Sequence, residues 1–320
     1  MKPLVYITRL LPEEAIESLK DVATIKMWDK PDIPVPRDVL LSEAKEATAL
    51  LTMLTEQVDE ELFNQMNNLK IVANMAVGYD NINVKLAHEK DVVITNTPDV
   101  LTDTTADLTF ALLMATARKL PEAATYIKQN QWTTWSPFQL AGTDVHHKTI
   151  GIFGMGRIGE AVAKRARGFD MTVLYHNRSR KPEVEKELGA TYCSFNGLLE
   201  LSDFLVCLAP LTEETKGIFN ENAFQKMKQS AIFINASRGA LVNEEALYHA
   251  LTNGEIRGAG LDVFEKEPVS ADHPLVKLDN VVALPHIGSA SYETRMKMAT
   301  LAANNIYAFL KEGKAITPVY

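Results

Sequence analysis

Short apolar runs rich in β-branched residues alternate along the chain with stretches whose apolar positions recur every three or four residues. In the first hundred residues, LVYIT (4–8), TALLTM (48–53), KIVANM (70–75) and VVIT (92–95) predict strands. Helical patterns at about 13–20, 37–46, 59–67 and 83–89 fill the gaps. Asn96-Thr97-Pro98 then breaks the series, because proline cannot continue a strand ladder. A long helix over about 103–119 follows, and after it a less regular segment over about 121–147. From residue 149 a second series runs TIGIF, MTVLY, FLVCL, AIFIN, GAGLD and VVALP, each separated by a helix-length interval. The stretch 291–311 predicts a closing amphipathic helix. Near-continuous apolar strands alternating with helices predict α/β architecture, with parallel sheets covered on both faces.

Composition narrows this. A chain of 320 residues, 46% hydrophobic and 23% charged, suits two globular domains. A net charge of −8 disfavours nucleic acid or an anionic membrane as partner, since both need a basic face. The two cysteines, Cys193 and Cys207, have neither metal nor redox spacing, so no metal site is expected and a reduced, cytoplasmic setting fits. The N-terminal stretch lacks the apolar core of a signal peptide. The most apolar helix, ADLTFALLMATARKL, is interrupted by Asp107 and Arg118 and falls short of a membrane span. A soluble protein is expected.

The chemistry starts at TIGIFGMGRIGEAVAKRA, where Gly154, Gly156 and Gly159 take the G-x-G-x-x-G spacing between a strand and a helix. The first glycine permits a tight turn, the second lets backbone approach a pyrophosphate, and the third lets helix pack on strand. The helix N-terminus then offers unpaired N–H groups to the anion. At the end of the next strand, where an acid would hold the ribose of NAD, stand Asn177, Arg178, Ser179, Arg180 and Lys181. Charge-assisted bonds from Arg178 and Arg180 to a 2′-phosphate, each worth about 1.5–3 kcal/mol, favour NADP(H) over NAD(H). NAD(H) stays possible, because a basic turn also occurs simply as a solvated surface. Further along, Arg238, Asp262, Glu267 and His286 all fall just after predicted strands, the edge at which open parallel sheets bind ligands. Singly, each is as well explained as a surface cation, a strand-end acid, a loop cap or a core histidine. Jointly, they suit reduction of a 2-oxo acid: imidazole for proton transfer, carboxylate to orient it, guanidinium for the substrate carboxylate.

NASRGALVNEEAL, GAGLDVFEKEP and LPHIGSAS, in that order after the glycine motif, resemble the signature regions of the D-isomer-specific 2-hydroxyacid dehydrogenases. NTPDVLTDTTADL, the RSR turn and PHIGSAS are most similar to its glyoxylate/hydroxypyruvate reductases. The resemblance implies two doubly wound parallel-sheet domains, with a Rossmann-type cofactor domain (99–287) inserted in a discontinuous flavodoxin-like substrate domain (1–98 and 288–320). Hinges would lie near Pro98 and after Ile287, with closure excluding water. It also implies roles. Arg238 would bind the substrate carboxylate and polarise the carbonyl, and His286 would be the acid–base with Glu267 as its partner. Val77 and Gly78 would offer backbone N–H groups to the carboxylate, with Ser289 and Arg295 close by. Arg157 and Ile158 would sit under the pyrophosphate, Asp262 would hold the nicotinamide carboxamide, and Pro210, Ala236 and Gly288 would line the cofactor. The arm at about 121–147, with Trp132, Trp135 and Phe138, would join two subunits in a homodimer. Gln139 departs from the tryptophan that the family's reductases carry near this place, which bears on substrate size. Two other readings keep the same fold: a reductase for a larger 2-oxo acid, and a non-enzymatic nucleotide-sensing protein like the corepressors built on it.

Overall fold

The computed structural model describes residues 2–319, so the outermost bounds drawn at Met1 and Tyr320 lie outside the described residues. The chain divides into two compact units, 1–101 with 290–320, and 102–289.

In the first unit, β1 (Leu4–Ile7), α1 (Glu13–Val22), β2 (Thr24–Met27), α2 (Arg37–Glu43), β3 (Ala49–Thr52), α3 (Glu60–Gln65), β4 (Ile71–Asn74), α4 (Val84–Glu89) and β5 (Val93–Thr95) follow in order. All strands are parallel, in the order β2-β1-β3-β4-β5, the flavodoxin-like winding. Alternate residues of the strands, Tyr6, Leu50, Val72 and Ile94, share one buried cluster with Leu40, Leu62 and Phe63 of the helices. Helix starts are set locally: Asp59 and Asn83 accept bonds from Leu62 N–H and Leu86 N–H at the first turns of α3 and α4.

The second unit contains α5 (Thr102–Ala117), α6 (Leu120–Lys128), β6 (Thr149–Phe153), α7 (Arg157–Arg167), β7 (Thr172–His176), α8 (Pro182–Leu188), β8 (Thr191–Tyr192), α9 (Phe195–Leu201), β9 (Phe204–Cys207), α10 (Glu221–Gln225), β10 (Ile232–Asn235), α11 (Glu244–Thr252), β11 (Gly258–Leu261) and β12 (Val281–Ala283). Helix α12 (Tyr292–Glu312) returns the chain to the first unit, where it packs on α1 and β4. The seven parallel strands run β12-β11-β10-β9-β6-β7-β8. Winding reverses between β6 and β9, so the loop after β6 lies at the switch point, where such sheets bind ligands. Leu205, Cys207 and Phe233 enter one core cluster, while their neighbours Phe204, Val206, Ile232 and Ile234 enter the other. Both faces of this sheet are therefore dry.

Four expectations need correction. Strand β2 was not anticipated: it is a short edge strand whose Thr24 and Lys26 point to solvent, so it carries no apolar run. The two-residue β8 was missed for its length. The irregular segment begins with helix α6, in which Pro121 occupies a first-turn position where its missing N–H costs nothing. Conversely, the interval between β11 and β12 holds no helix; Pro268 and Pro274 interrupt it, and the chain crosses in turns.

Candidate active site

The three glycines of the loop after β6 have three different constraints. Gly154 has φ +102°, and a Cβ there would lie 2.4 Å from Ala209 N. At Gly159 a Cβ would lie 2.4 Å from the Gly154 carbonyl oxygen, so only hydrogen lets α7 sit this close to β6. Gly156, the residue preceding α7, has no atom within 4 Å of where its Cβ would stand. Its lack of a side chain therefore answers to no neighbour in the protein and leaves room for something else. Arg157 and Ile158 open α7 directly behind it, with first-turn N–H groups that no helical carbonyl can take. The loop thus fits a dinucleotide pyrophosphate.

Strand β7 ends at His176, one residue beyond the predicted end. Asn177 then turns back to the glycine loop, its Oδ1 accepting a bond from Met155 N–H at 2.7 Å. The basic turn is more nearly balanced than its sequence suggests. Arg180 donates to Glu185 through Nε (3.0 Å) and Nη2 (2.6 Å) and lies over the Tyr192 ring. Lys181 pairs with Glu160 at 2.5 Å. Arg178 and Ser179 are exposed and make no hydrogen bond or ion pair among the described residues; Arg178's charge helps hold the Glu214 carboxyl below its ordinary value, behind that group's hydrogen bond from Thr212. Sequence reading missed Glu185, although its place in the first turn of a helix opened by Pro182, five residues past Arg180, was a usable signal. Tyr175 completes the group: its hydroxyl accepts from Lys181 N–H and donates to Glu185, both at 2.7 Å.

The catalytic candidates all follow the adjacent strands β10, β11 and β12 at their carboxyl ends. Ala236 and Arg238 follow β10; the Arg238 Nη1 donates to the Ser237 carbonyl at 2.9 Å, and Asn235 Nδ2 holds the Arg238 carbonyl. Pro210 follows β9, its carbonyl accepting from Thr215. Asp262, 1% exposed, accepts from Ile287 N–H at 2.8 Å and fixes the chain just past His286. Burial pushes its carboxyl up, against the bonds from Ile287 N–H and Gly288 N–H and the nearby His286. Gly288 packs against it: a Cβ there would stand 3.2 Å from Asp262 Oδ2.

His286 and Glu267, nineteen residues apart, meet at 2.7 Å between Nδ1 and Oε2. The carboxylate can only accept, so Nδ1 carries the hydrogen and Nε2 is the nitrogen left for chemistry. His286 has φ +54°, the left-handed region that costs a non-glycine residue energy and gathers at functional sites. Burial pushes the Glu267 carboxyl up, but the bond and charge of His286, the bond from Phe264 N–H and the charge of Arg238 together hold it below its ordinary value. Arg238, Glu267 and His286 are thus electrostatically one group. Of the remaining candidates, Ser289 closes the second unit, while Val77, Gly78 and Arg295 belong to the first.

Residues 110–288 match the family model described as D-isomer specific 2-hydroxyacid dehydrogenase, NAD binding domain. The chain belongs to this family. Its relatives among curated proteins include the glyoxylate reductases of Pyrococcus horikoshii, 51% identical over 313 residues, and Korarchaeum cryptofilum, 48% identical over 310; each match covers 97% of this chain and 93% of the relative. Among solved structures, the NADPH-dependent glyoxylate/hydroxypyruvate reductase of Sinorhizobium meliloti, crystallised with NADP and malonate, is 34% identical with a TM-score of 0.87, covering all of this chain and 97% of that one. A glyoxylate reductase from Paecilomyes thermophila superposes with a TM-score of 0.89 at 32% identity, covering 99% of this chain and 98% of that one. This 2-hydroxyacid dehydrogenase is therefore an NAD(P)-dependent oxidoreductase with a Rossmann cofactor domain. None of its described helices is long and apolar enough to cross a membrane.

Proposed function

We propose that the enzyme reduces glyoxylate and hydroxypyruvate to the corresponding D-2-hydroxy acids, with NADPH preferred. The observation that carries the reading is the 2.7 Å His286–Glu267 pair with the Arg238 charge acting on the same carboxylate. The glyoxylate reductases at about half identity over nearly the whole chain support the substrate.

Arg238 binds the substrate carboxylate and polarises the carbonyl with its planar fork. His286 gives the proton on Nε2 to the carbonyl oxygen while Glu267 holds the ring and compensates its positive charge. The N–H groups of Val77 and Gly78 receive the carboxylate, and Ser289 and Arg295 are further candidates for substrate contact. Reduced nicotinamide, when bound, supplies the hydride. Gly154, Gly156, Gly159, Arg157 and Ile158 would hold the pyrophosphate, and Asp262, Pro210, Ala236 and Gly288 would border the nicotinamide end. Arg178, exposed and without a hydrogen bond or ion pair among the described residues, would be the first contact for a 2′-phosphate, and Arg180 would add its remaining donors. The protein acts as a cytoplasmic homodimer joined through the 121–147 arm.

The test follows loss of reduced nicotinamide with glyoxylate, hydroxypyruvate and pyruvate, each with NADPH and NADH. Turnover of glyoxylate and hydroxypyruvate, faster with NADPH, is expected; no turnover of any 2-oxo acid overturns the activity, and equal rates with both cofactors overturn the preference. For His286→Ala we expect a loss of turnover of at least about a hundredfold with nicotinamide affinity kept.

A further inference from the structure

We propose that Asn96 and Asn74 are positioning residues that aim three consecutive N–H groups, those of Val77, Gly78 and Tyr79, at the substrate carboxylate; this rests on the 2-oxo acid reading above. In the loop after β4, the carbonyls of residues 76, 77 and 78 are each held by a donor. Thr97 N–H donates to the Ala76 carbonyl at 2.8 Å, Asn96 Nδ2 to the Val77 carbonyl at 2.8 Å, and Asn74 Nδ2 to the Gly78 carbonyl at 3.0 Å. These peptides are trans and planar, so each N–H points opposite the carbonyl with which it shares a plane. Fixing the carbonyls of 76, 77 and 78 therefore fixes the N–H groups of 77, 78 and 79, directed away from the donors that hold them.

Those three N–H groups have no acceptor among the described residues, whereas the preceding two do: Met75 N–H bonds the Thr52 carbonyl and Ala76 N–H the Asn74 carbonyl. Val77 and Gly78 are half-buried and Tyr79 is exposed, so the run lies open to solvent and offers an anion three consecutive donors. The clamps are themselves fixed. Asn74 is fully buried; the Gly78 carbonyl can only accept, so Nδ2 faces it, and Thr52 Oγ1 donates to the other end, Oδ1, at 3.2 Å. On the far side, Asn81 Nδ2 bonds the Met53 and Glu56 carbonyls, and Tyr79's carbonyl accepts from Ile82 N–H. An asparagine side chain is thus worth more here than the bond it makes, because it sets the direction of a backbone donor one peptide away.

Asn96→Ala is the direct test, since the bonds of its backbone to Thr317 do not involve the side chain. The KM for glyoxylate should rise about tenfold with kcat within about twofold, the split expected when ground-state and transition-state binding fall together. Oxamate, a non-reacting 2-oxo carboxylate, should lose affinity by the same factor in calorimetry with NADH present, and nicotinamide affinity should not change. Thr52→Val, nearly isosteric, should give a smaller rise of about two- to fivefold by letting the Asn74 amide turn. Unchanged KM and oxamate affinity in both variants overturn the proposal, as does parallel loss of nicotinamide affinity, which marks a general structural role. A wild-type enzyme that turns over no 2-oxo acid strikes the functional reading instead, and the oxamate titrations still decide the positioning role.

Discussion

Two charged pairs show how differently a carboxylate can be used within one chain. Glu56 is 5% exposed and wholly satisfied: Arg9 donates to it at 3.2 Å, and Thr8 Oγ1 and Met53 N–H at 2.7 Å. It fills the switch point between β1 and β3, where a flavodoxin-type sheet would otherwise receive a ligand. Arg9→Met leaves that charge buried and unpaired, and should cost about 3–5 kcal/mol in denaturant unfolding; a loss under about 1 kcal/mol would contradict this account. Glu267 is more open and is held below its ordinary value, so its contribution to stability is full above the unfolded glutamate value and vanishes as pH falls through the folded one. The Tm difference between wild type and Glu267→Gln should therefore be largest near about pH 6 and shrink towards about pH 3. In turnover, the same substitution should lower kcat, because the amide can turn its NH2 towards Nδ1 and release the ring from its orientation. The role of Glu185 is a residue-scale matter too. By occupying Arg180, it leaves Arg178 as the stronger determinant, so Arg178→Ala should raise the NADPH KM more than Arg180→Ala does, while NADH is little affected by either.

At the scale of elements, the glycine loop separates packing from ligand space. Gly159→Ala places a methyl 2.4 Å from a backbone carbonyl, so α7 must lift from β6, and stability should fall by about 1–3 kcal/mol along with nicotinamide affinity. Gly156→Ala meets nothing within 4 Å, so stability should hold within about 0.5 kcal/mol while nicotinamide affinity falls. If both variants lose stability equally, the open space at Gly156 is not a ligand's. The periodicity of the strands was legible for most elements because it is a local property: a residue and its neighbour two along face the same core. Strand β2 escaped for the opposite reason: what makes Thr24–Met27 a strand is β1 beside it. The crossing between β11 and β12 did carry a local signal, since Pro268 and Pro274 break any helix over residues 262–280.

For the whole molecule, Trp132, Trp135 and Phe138 are 58%, 77% and 85% exposed in the single chain. Three large aromatic side chains in one short segment are costly in water, and the homodimer proposed above would cover them. Replacing all three with serine should yield a monomer in sedimentation velocity, with the unfolding of each unit little changed; a dimer that survives the substitution would move the interface elsewhere.

The sequence by itself determined the alternation of strand and helix, the glycine spacing after β6 and the arrival of an arginine, two acids and a histidine after successive strands, because hydrophobic period and backbone sterics are written in neighbouring residues. Only the tertiary structure decided which charges meet. In the second unit, sheet order brings the loops after β11 and β12 together and pairs His286 with Glu267; in the first, the fold leaves the amides of Val77, Gly78 and Tyr79 without an acceptor among the described residues. Such pairings depend on distances that no local pattern encodes.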